Sequence, residues 1–296
     1  MPYATATDGV RLFYESQGSG PAIVWVHEFA GDHRSWEPQL RHFAPHRRCV
    51  VFAARGYPPS DVPHELQAYS QAQAADDIVS VLDAAGIERA HIVGLSMGGF
   101  ATLHVGLRHP ARARSLVVAG VGYGAHPDEA AEFQALSVAA AQQFEALGSQ
   151  AYAPTYAAGP ARIPYQLKNP QGWAEFAARL GEHDATGAAL TLRGVQARRP
   201  SLYALRDDLR GLQVPTLVVA GDQDDLTLPA SLYLKATLPA AGLLVLPRTG
   251  HTINLEEPEA FNRAVADFIA AVEAQRWTPR DPRTRGPAMQ VGEPQA

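Results

Sequence analysis

Hydrophobic residues in this 296-residue chain cluster in short continuous runs separated by amphipathic segments. The runs predict strands at residues 11–14, 22–26, 49–53, 91–94, 115–119, 216–220 and 243–246. From residue 22 on they alternate with helix-like segments, a pattern typical of a parallel sheet with helices on both faces. The Asp8-Gly9 pair suits a hairpin turn between the first two strands. The chain is therefore predicted to be an α/β protein.

Two of the amphipathic segments have clear helix signals. Ser70 followed by Gln73 is a capping-box pattern at the start of a helix, and Ile78, Val81 and Leu82 follow at helical spacing. The last helix is expected to open near Pro258, a favoured residue for a first turn. Its apolar stripe, which we expect to pack on the core, consists of Phe261, Val265, Phe268, Ile269 and Val272.

Between residues 122 and 212 the strand-like runs disappear, and alanine-rich helical stretches broken by proline replace them. We interpret 122–212 as a helical cap over the carboxyl edge of the sheet, where ligands bind in open α/β folds. Residues 1–121 and 213–275 then form the core. Residues 276–296 are rich in proline and arginine without periodicity, which predicts a tail that is mobile or packed on the surface.

A minority of the cap's aromatic residues is expected to line a pocket, and the others to pack the cap helices together. These residues are Phe133, Phe144, Tyr152, Tyr156, Tyr165, Trp173 and Phe176. Tyr123, just past the strand at 115–119, is a separate candidate. It either contacts substrate or packs at the hinge of the cap.

The segment Gly94-Leu95-Ser96-Met97-Gly98-Gly99 matches the pattern G-x-S-x-G between a predicted strand and a predicted helix. The glycines leave room for a tight turn, because a Cβ would clash where strand and helix pack closely. The turn brings the Ser96 hydroxyl to a helix N-terminus, where negative charge is stabilised. Ser96 is therefore the candidate nucleophile.

A serine nucleophile needs a base to take its proton, and the base needs a carboxylate to orient it. His251 is the candidate base, because it lies in a loop directly after the strand at 243–246. Asp222, Asp224 and Asp225 follow the strand at 216–220 and compete for the role of the carboxylate. The chain order serine, acid, histidine is the order in which this type of triad occurs.

With these residues the chain resembles the α/β-hydrolase superfamily, in particular the small cap-bearing branch of esterases, enol-lactonases and cofactor-free haloperoxidases. The resemblance spans about residues 3–274, and its motifs are Val26-His27-Glu28-Phe29-Ala30-Gly31, Arg55-Gly56-Tyr57-Pro58-Pro59-Ser60-Asp61, the serine segment, Gly221-Asp222-Gln223-Asp224 and Gly250-His251. It implies a mostly parallel eight-stranded sheet with helices on both faces and an inserted helical cap. The resemblance also favours Asp224 as the acid. It places the oxyanion-binding N–H groups on Phe29 and Met97.

The chain departs from the family at Glu28, where the family usually has glycine. A carboxylate there would oppose the negative charge that an oxyanion develops. Glu28 is therefore either directed to the surface or paired with Arg34 or Arg55, or else it lines the pocket as an acid, a base or a hydrogen-bond partner of the substrate.

Composition limits the kinds of partner and cofactor that this chain is expected to bind. The net charge of −5 gives no basic field for nucleic acid, so the expected partner is a small-molecule substrate. No apolar run is long enough to span a membrane, and no zinc-type cluster or phosphate-binding glycine loop occurs, so no membrane, metal or cofactor is predicted. The single cysteine, Cys49, and the absence of a signal peptide predict a cytoplasmic location. Homo-oligomerisation stays open.

These residues predict hydrolysis of a small carboxylic ester or lactone through an acyl-enzyme on Ser96. The same triad also serves carbon–carbon bond hydrolases and cofactor-free perhydrolases or haloperoxidases, and dependence on hydrogen peroxide would distinguish the latter. A third hypothesis is a ligand receptor of the same fold, which would bind tightly without repeated turnover.

Overall fold

The structure, a computed structural model, describes residues 2–284. Within that range eight strands form one sheet: β1 (Tyr3–Thr5), β2 (Arg11–Gln17), β3 (Ala22–Val26), β4 (Arg48–Phe52), β5 (Ala90–Leu95), β6 (Ala113–Ala119), β7 (Thr216–Gly221) and β8 (Ala241–Leu246). Their order is β1-β2-β4-β3-β5-β6-β7-β8. The pairs β1–β2 and β2–β4 are antiparallel, and the other pairs are parallel. The predicted α/β class and eight-stranded sheet are confirmed.

The helices lie between and beyond the strands. They are α1 (Glu37–Phe43), α2 (Gln71–Ala84), α3 (Met97–Arg108), α4 (Pro127–Leu147), α5 (Ser149–Ala157), α6 (Ile163–Lys168), α7 (Pro170–Gly181), α8 (Ala185–Thr191), α9 (Arg206–Gly211), α10 (Leu228–Thr237), α11 (Ile253–Glu256) and α12 (Pro258–Glu273). Short 3₁₀ turns occur at His33–Trp36, Leu66–Ala68, Pro110–Arg112, Pro160–Arg162 and Pro282–Thr284, and a π-helical turn occurs at Leu192–Gln196.

The central strands are buried on both faces, because successive side chains point to opposite sides of a sheet. In β5, Ile92 packs with α2 and α3, whereas the next residue, Val93, packs with α1 and α12. The predicted stripe of α12 is buried against this second face, with Val272 at its partly buried end. These two layers hold the carboxyl ends of β3, β5, β6 and β7 side by side.

The start of α2 differs in one detail from the predicted capping box. The Ser70 hydroxyl accepts a hydrogen bond from the Gln73 N–H at 3.1 Å, as expected for an N-cap. The Gln73 amide, however, donates to Asp77 at 3.0 Å instead of returning to Ser70. The Asp77 carboxylate, which the buried Arg55 holds in place, therefore binds the Gln73 side chain that the box would use.

Helices α4 to α9 form an insertion between β6 and β7, and part of it packs over the carboxyl edge of the sheet. Phe144 and Leu192 of the insertion share one apolar cluster with Phe29 and Met97, which follow β3 and β5. The helical insertion is thus present, while the boundaries at residues 122 and 212 stay predictions. Of the cap aromatics, Phe133, Tyr152 and Tyr156 line the cavity beneath it.

The first part of the predicted tail packs on the core. The Trp277 ring lies edge-on to Phe268 with centroids 4.6 Å apart, and its Nε1–H donates to the Ala240 carbonyl at 2.9 Å. The prediction for residues 285–296 lies outside the described residues.

Candidate active site

Ser96 lies on a strained turn between β5 and α3. Its backbone has φ of 53° and ψ of −116°, a left-handed conformation that non-glycine residues rarely adopt. The Ser96 N–H donates to the Ala119 carbonyl at 2.8 Å, which ties the turn to β6. A Cβ on Gly94 would overlap the Gly98 carbonyl, and one on Gly98 would overlap the Val26 carbonyl. The glycines of the motif therefore permit the close packing that holds the turn.

His251 and Asp224 lie side by side at the ends of β8 and β7. His251 Nδ1 is 2.6 Å from Asp224 Oδ2, and the Thr227 hydroxyl donates to the same oxygen at 2.8 Å. Burial lowers the pKa of His251, but the charge and hydrogen bond of Asp224 outweigh it and leave that pKa above its usual value. Burial raises the pKa of Asp224, but His251, the Thr227 hydroxyl and Arg162 together lower it below its usual value, so the carboxyl is held ionised.

Ser96, Asp224 and His251 line one cavity of about 460 Å³ between the sheet edge and the insertion. Gly120, directly after β6, also lines this cavity, and its φ of 57° is a conformation that residues with a side chain rarely adopt. The structure thus brings the three predicted residues to one site, whereas Asp222 does not line this cavity and instead accepts from the Thr249 N–H at 3.1 Å.

The two predicted oxyanion N–H groups belong to rigid backbone. Met97 is the first residue of α3, where N–H groups lack acceptors within the helix. The Phe29 carbonyl accepts from the Tyr57 hydroxyl at 2.9 Å, which fixes the loop after β3. His27 holds the same loop: its Nε2 accepts from the Ala54 N–H at 3.0 Å, which leaves Nδ1–H to donate to the Glu28 carbonyl at 2.7 Å.

Glu28 is buried, lines the cavity and forms a bidentate ion pair with Arg162 of the insertion. Arg162 Nη1 is 3.0 Å from Oε1, and Nη2 is 2.5 Å from Oε2. Glu28 is salt-bridged, as one interpretation of the sequence expected, but its partner is Arg162 and not Arg34 or Arg55, and the surface-facing alternative is wrong. Arg34 pairs with Asp32 and Glu182, and Arg55 pairs with the buried Asp77.

The ion pair sets the charge beside the histidine. Burial raises the pKa of Glu28, but the adjacent Arg162 outweighs it, so the pKa of Glu28 is lowered and the carboxylate stays charged. Glu28 raises the pKa of His251, and Arg162 lowers it. The two effects oppose each other, so the ion pair adds little net charge to the site.

The 3₁₀ turn Pro160–Arg162 contacts both loops of the site. Arg162 reaches the loop after β3 through Glu28, and the Ala161 carbonyl accepts from the His251 N–H at 2.8 Å. This short piece of the insertion therefore helps to position the histidine as well as the carboxylate.

A sequence profile described as the α/β hydrolase fold matches residues 21–258. The chain belongs to the α/β hydrolase family. It is 26% identical over 275 residues to 3-oxoadipate enol-lactonase 1 of Acinetobacter baylyi, covering 91% of this chain and 97% of that protein. It is 32% identical to 2-hydroxymuconate semialdehyde hydrolase of Pseudomonas putida, covering 87% and 86%. Among solved structures, the enol-lactonase of Burkholderia xenovorans superposes with a TM-score of 0.77 at 26% identity, covering 91% and 100%.

In this α/β hydrolase, Tyr123 lines the cavity beside Phe133, with ring centroids 4.7 Å apart. Its position is compatible with both interpretations from the sequence, because the ring packs at the hinge of the insertion and also borders the cavity.

Two charged residues of the cavity were not predicted from the sequence. Arg162 and Arg199 both lie in the insertion, where neither a motif nor a regular spacing marks them. In the case of Arg162, the glutamate at position 28 was the available signal, because a buried carboxylate requires a cation near it.

Within residues 2–284, no group of three or more histidine, cysteine or acidic side chains is arranged to hold a metal ion. In that same part of the chain, every helix is too short or too polar to cross a bilayer.

Proposed function

We propose that this α/β hydrolase cleaves a small carboxylic ester or lactone through an acyl-enzyme formed on Ser96. The observation that carries the proposal is the 2.6 Å contact between His251 Nδ1 and Asp224, in the wall of the cavity that Ser96 lines. With Nδ1–H donated to the carboxylate, Nε2 is left as the free base. The enol-lactonases among the relatives support the ester or lactone class.

In this mechanism Ser96 Oγ attacks the substrate carbonyl while His251 Nε2 takes the hydroxyl proton. The N–H groups of Phe29 and Met97 stabilise the oxyanion, and the loss of one such donor typically costs about 3–4 kcal/mol. His251 then protonates the leaving alcohol, which departs from the acyl-enzyme. A water molecule that gives its proton to His251 releases the acid and restores Ser96.

The first test uses p-nitrophenyl esters with acyl chains of about two to eight carbons. We expect a burst of nitrophenol and an acyl adduct on Ser96 in the intact-protein mass, graded by chain length. Ser96→Ala should lower kcat by about 10⁴-fold or more, because the nucleophile is lost.

Ser80→Ala is the matched control, because the Ser80 hydroxyl donates only within its own helix, to the Asp76 carbonyl at 3.1 Å. This variant should keep wild-type turnover. If folded Ser96→Ala retained more than a small residual rate, the assignment of the nucleophile would be wrong.

Carbon–carbon bond hydrolysis is a second candidate, favoured by the 32% identity to 2-hydroxymuconate semialdehyde hydrolase. The same nucleophile and base are available for it. Comparing kcat/KM for 2-hydroxymuconate semialdehyde with that for the best ester distinguishes the two candidates. An increase in product on adding hydrogen peroxide would instead favour perhydrolysis.

A further inference from the structure

Arg199 places a guanidinium in the cavity wall between core and insertion. Its Cζ lies 3.8 Å from the ring centroid of Phe100 in α3 and 4.4 Å from that of Phe133 in α4. Both rings also line the cavity. Aromatic contacts of this kind hold a planar guanidinium in place without neutralising its charge.

The hydrogen bonds of Arg199 leave most of its donors unused. Nη1 donates to Gln196 Oε1 at 2.6 Å, and Nη2 donates to the Tyr123 carbonyl. Both acceptors are uncharged. A guanidinium has five N–H groups, so three have no protein acceptor within residues 2–284.

Arg199 also differs from the other charged residues of this cavity. Glu28 is paired with Arg162, and Asp224 is paired with His251. Arg199 has no acidic partner in the part of the chain that the structure describes. Burial without such a partner lowers the pKa of Arg199 to about 9. Arg199 is half-buried in the cavity wall, and a partly desolvated cation of this kind is stabilised when an anion binds to it.

The position of Arg199 relative to Ser96 limits where that anion lies on a ligand. Phe100, which Arg199 contacts, is four residues beyond Ser96, and its N–H donates to the Ser96 carbonyl at 2.9 Å. Four helical residues rise about 6 Å. This rise separates the backbones of Ser96 and Phe100, and since Ser96 and Arg199 line the same cavity, a ligand that contacts both side chains carries its carbonyl and its anion at different positions along its chain.

We propose that Arg199 binds a carboxylate of the substrate, so that the preferred ester or lactone carries a second, ionised carboxyl group several bonds from the carbonyl that Ser96 attacks. A carboxylate matches the planar fork of a guanidinium with two parallel hydrogen bonds. The proposal rests on the proposed function for the attack by Ser96, but the anion site itself does not depend on turnover.

The test compares paired substrates. One series is the mono-p-nitrophenyl esters of straight dicarboxylic acids of about five to eight carbons, corrected for uncatalysed hydrolysis. The other series has an isopropyl group in place of the free carboxylate, which keeps the shape and removes the charge. We expect the wild type to favour the anionic series, and Arg199→Met to lower the anionic-to-neutral ratio of kcat/KM about 10- to 100-fold.

Arg199→Lys should fall between the two, because it keeps the charge and loses the fork. Arg193→Met is the matched control, since Arg193 lies in the insertion and pairs with Glu145 at 2.7 Å away from the cavity wall. If Arg199→Met lowered both series in proportion, the role of Arg199 would be structural and the proposal would be overturned.

A binding measurement separates this proposal from the proposed function. Calorimetric titration of monomethyl glutarate into Ser96→Ala and into Ser96→Ala with Arg199→Met needs no turnover. Weaker binding to the double variant, with the neutral methyl 5-methylhexanoate binding both alike, supports the anion site. Equal binding of the glutarate to both proteins overturns the site, whether or not any ester is cleaved.

Discussion

Position 28 carries a glutamate in this chain, where the α/β hydrolase family usually has a glycine. Its carboxylate is buried in the cavity wall, next to the backbone N–H of Phe29 that we assign to the oxyanion. An uncompensated negative charge there would oppose the transition state. The bidentate contact with Arg162 removes most of that opposition, since a paired carboxylate has a much weaker field at a distance.

Removing Arg162 should therefore harm catalysis more than removing both members of the pair. We expect Arg162→Met to lower kcat by about 10- to 100-fold, because it leaves a buried, unpaired carboxylate, and to lower stability by about 3–5 kcal/mol. Adding Glu28→Gln to that variant should restore most of the rate. Ester kinetics and urea unfolding of the four proteins in the cycle measure both effects.

Arg193→Met again serves as the control, because it removes an arginine from the insertion without reaching the cavity. If the double variant were as slow as Arg162→Met, the loss would come from the missing guanidinium itself, and the compensation argument would fail.

Removing either member of the Glu28–Arg162 ion pair should shift the pH profile of kcat/KM, and the two shifts should have opposite directions. His251 acts as a base only when neutral, so kcat/KM rises with pH through its pKa, which lies above the usual 6.5. Arg162 lowers this pKa and Glu28 raises it. Arg162→Met should therefore shift the rising limb to higher pH, and Glu28→Gln should shift it to lower pH.

Kcat/KM measured from about pH 5 to 9 with one unbranched neutral ester checks this. Limbs that moved in the same direction in both variants would contradict the assignment of His251 as the group that titrates.

The turn between β5 and α3 depends on the absence of a side chain at Gly98. A Cβ there would overlap the Val26 carbonyl of β3, so Gly98→Ala must push α3 away from the sheet. We expect a loss of about 1–3 kcal/mol in stability and at least a tenfold loss of kcat/KM, because Ser96 moves with the helix.

Gly211→Ala is the matched control, since a Cβ on this helical glycine meets nothing within 4 Å. Thermal unfolding and ester kinetics of both variants check the prediction. A Gly98→Ala protein with wild-type melting temperature and rate would contradict this prediction, because it would mean that the turn can accommodate a Cβ at position 98.

The strands could be predicted from the sequence because parallel strands buried on both faces appear as continuous hydrophobic runs. All seven runs correspond to strands, with ends displaced by a few residues at most. The eighth strand, β1, has three residues and pairs only with β2 at the edge of the sheet. It was too short to form a run, so only the turn at Asp8-Gly9 and the family resemblance pointed to it.

At one point the insertion packs on the core through backbone contact alone. Gly187 of α8 lies so close to Gly56 that a Cβ on Gly187 would overlap the Gly56 carbonyl. Gly187→Ala should therefore displace the insertion, which carries Arg162 and Arg199 into the cavity.

For Gly187→Ala we expect a higher KM for esters together with a lower melting temperature, because the cavity wall moves while Ser96 stays on the core. Gly181→Ala, at the end of α7, is the control, since its Cβ would make only ordinary contacts of 3.4 Å or more. A Gly187→Ala protein with unchanged KM would contradict the role of this contact in shaping the cavity.

The sequence predicted the serine, the histidine and their chain order, because these residues lie in short motifs at strand ends. It did not predict the partner of Glu28, because Arg162 is 134 residues away along the chain and lies in a segment without a motif. Contacts of this kind follow from how the insertion docks, and docking depends on many weak contacts that no local pattern encodes. The catalytic roles of the three triad residues stay predictions.

The turn Pro160–Arg162 has a consequence for how this protein can evolve or be rebuilt. If the insertion alone set the substrate range, exchanging it would change the substrate and leave the core as it is. Here the insertion supplies the Ala161 carbonyl to the loop of His251 and the Arg162 guanidinium to the loop after β3. Insertion and core are therefore not separable modules, and a chimera that receives a foreign insertion must keep the turn Pro160–Arg162 together with Glu28.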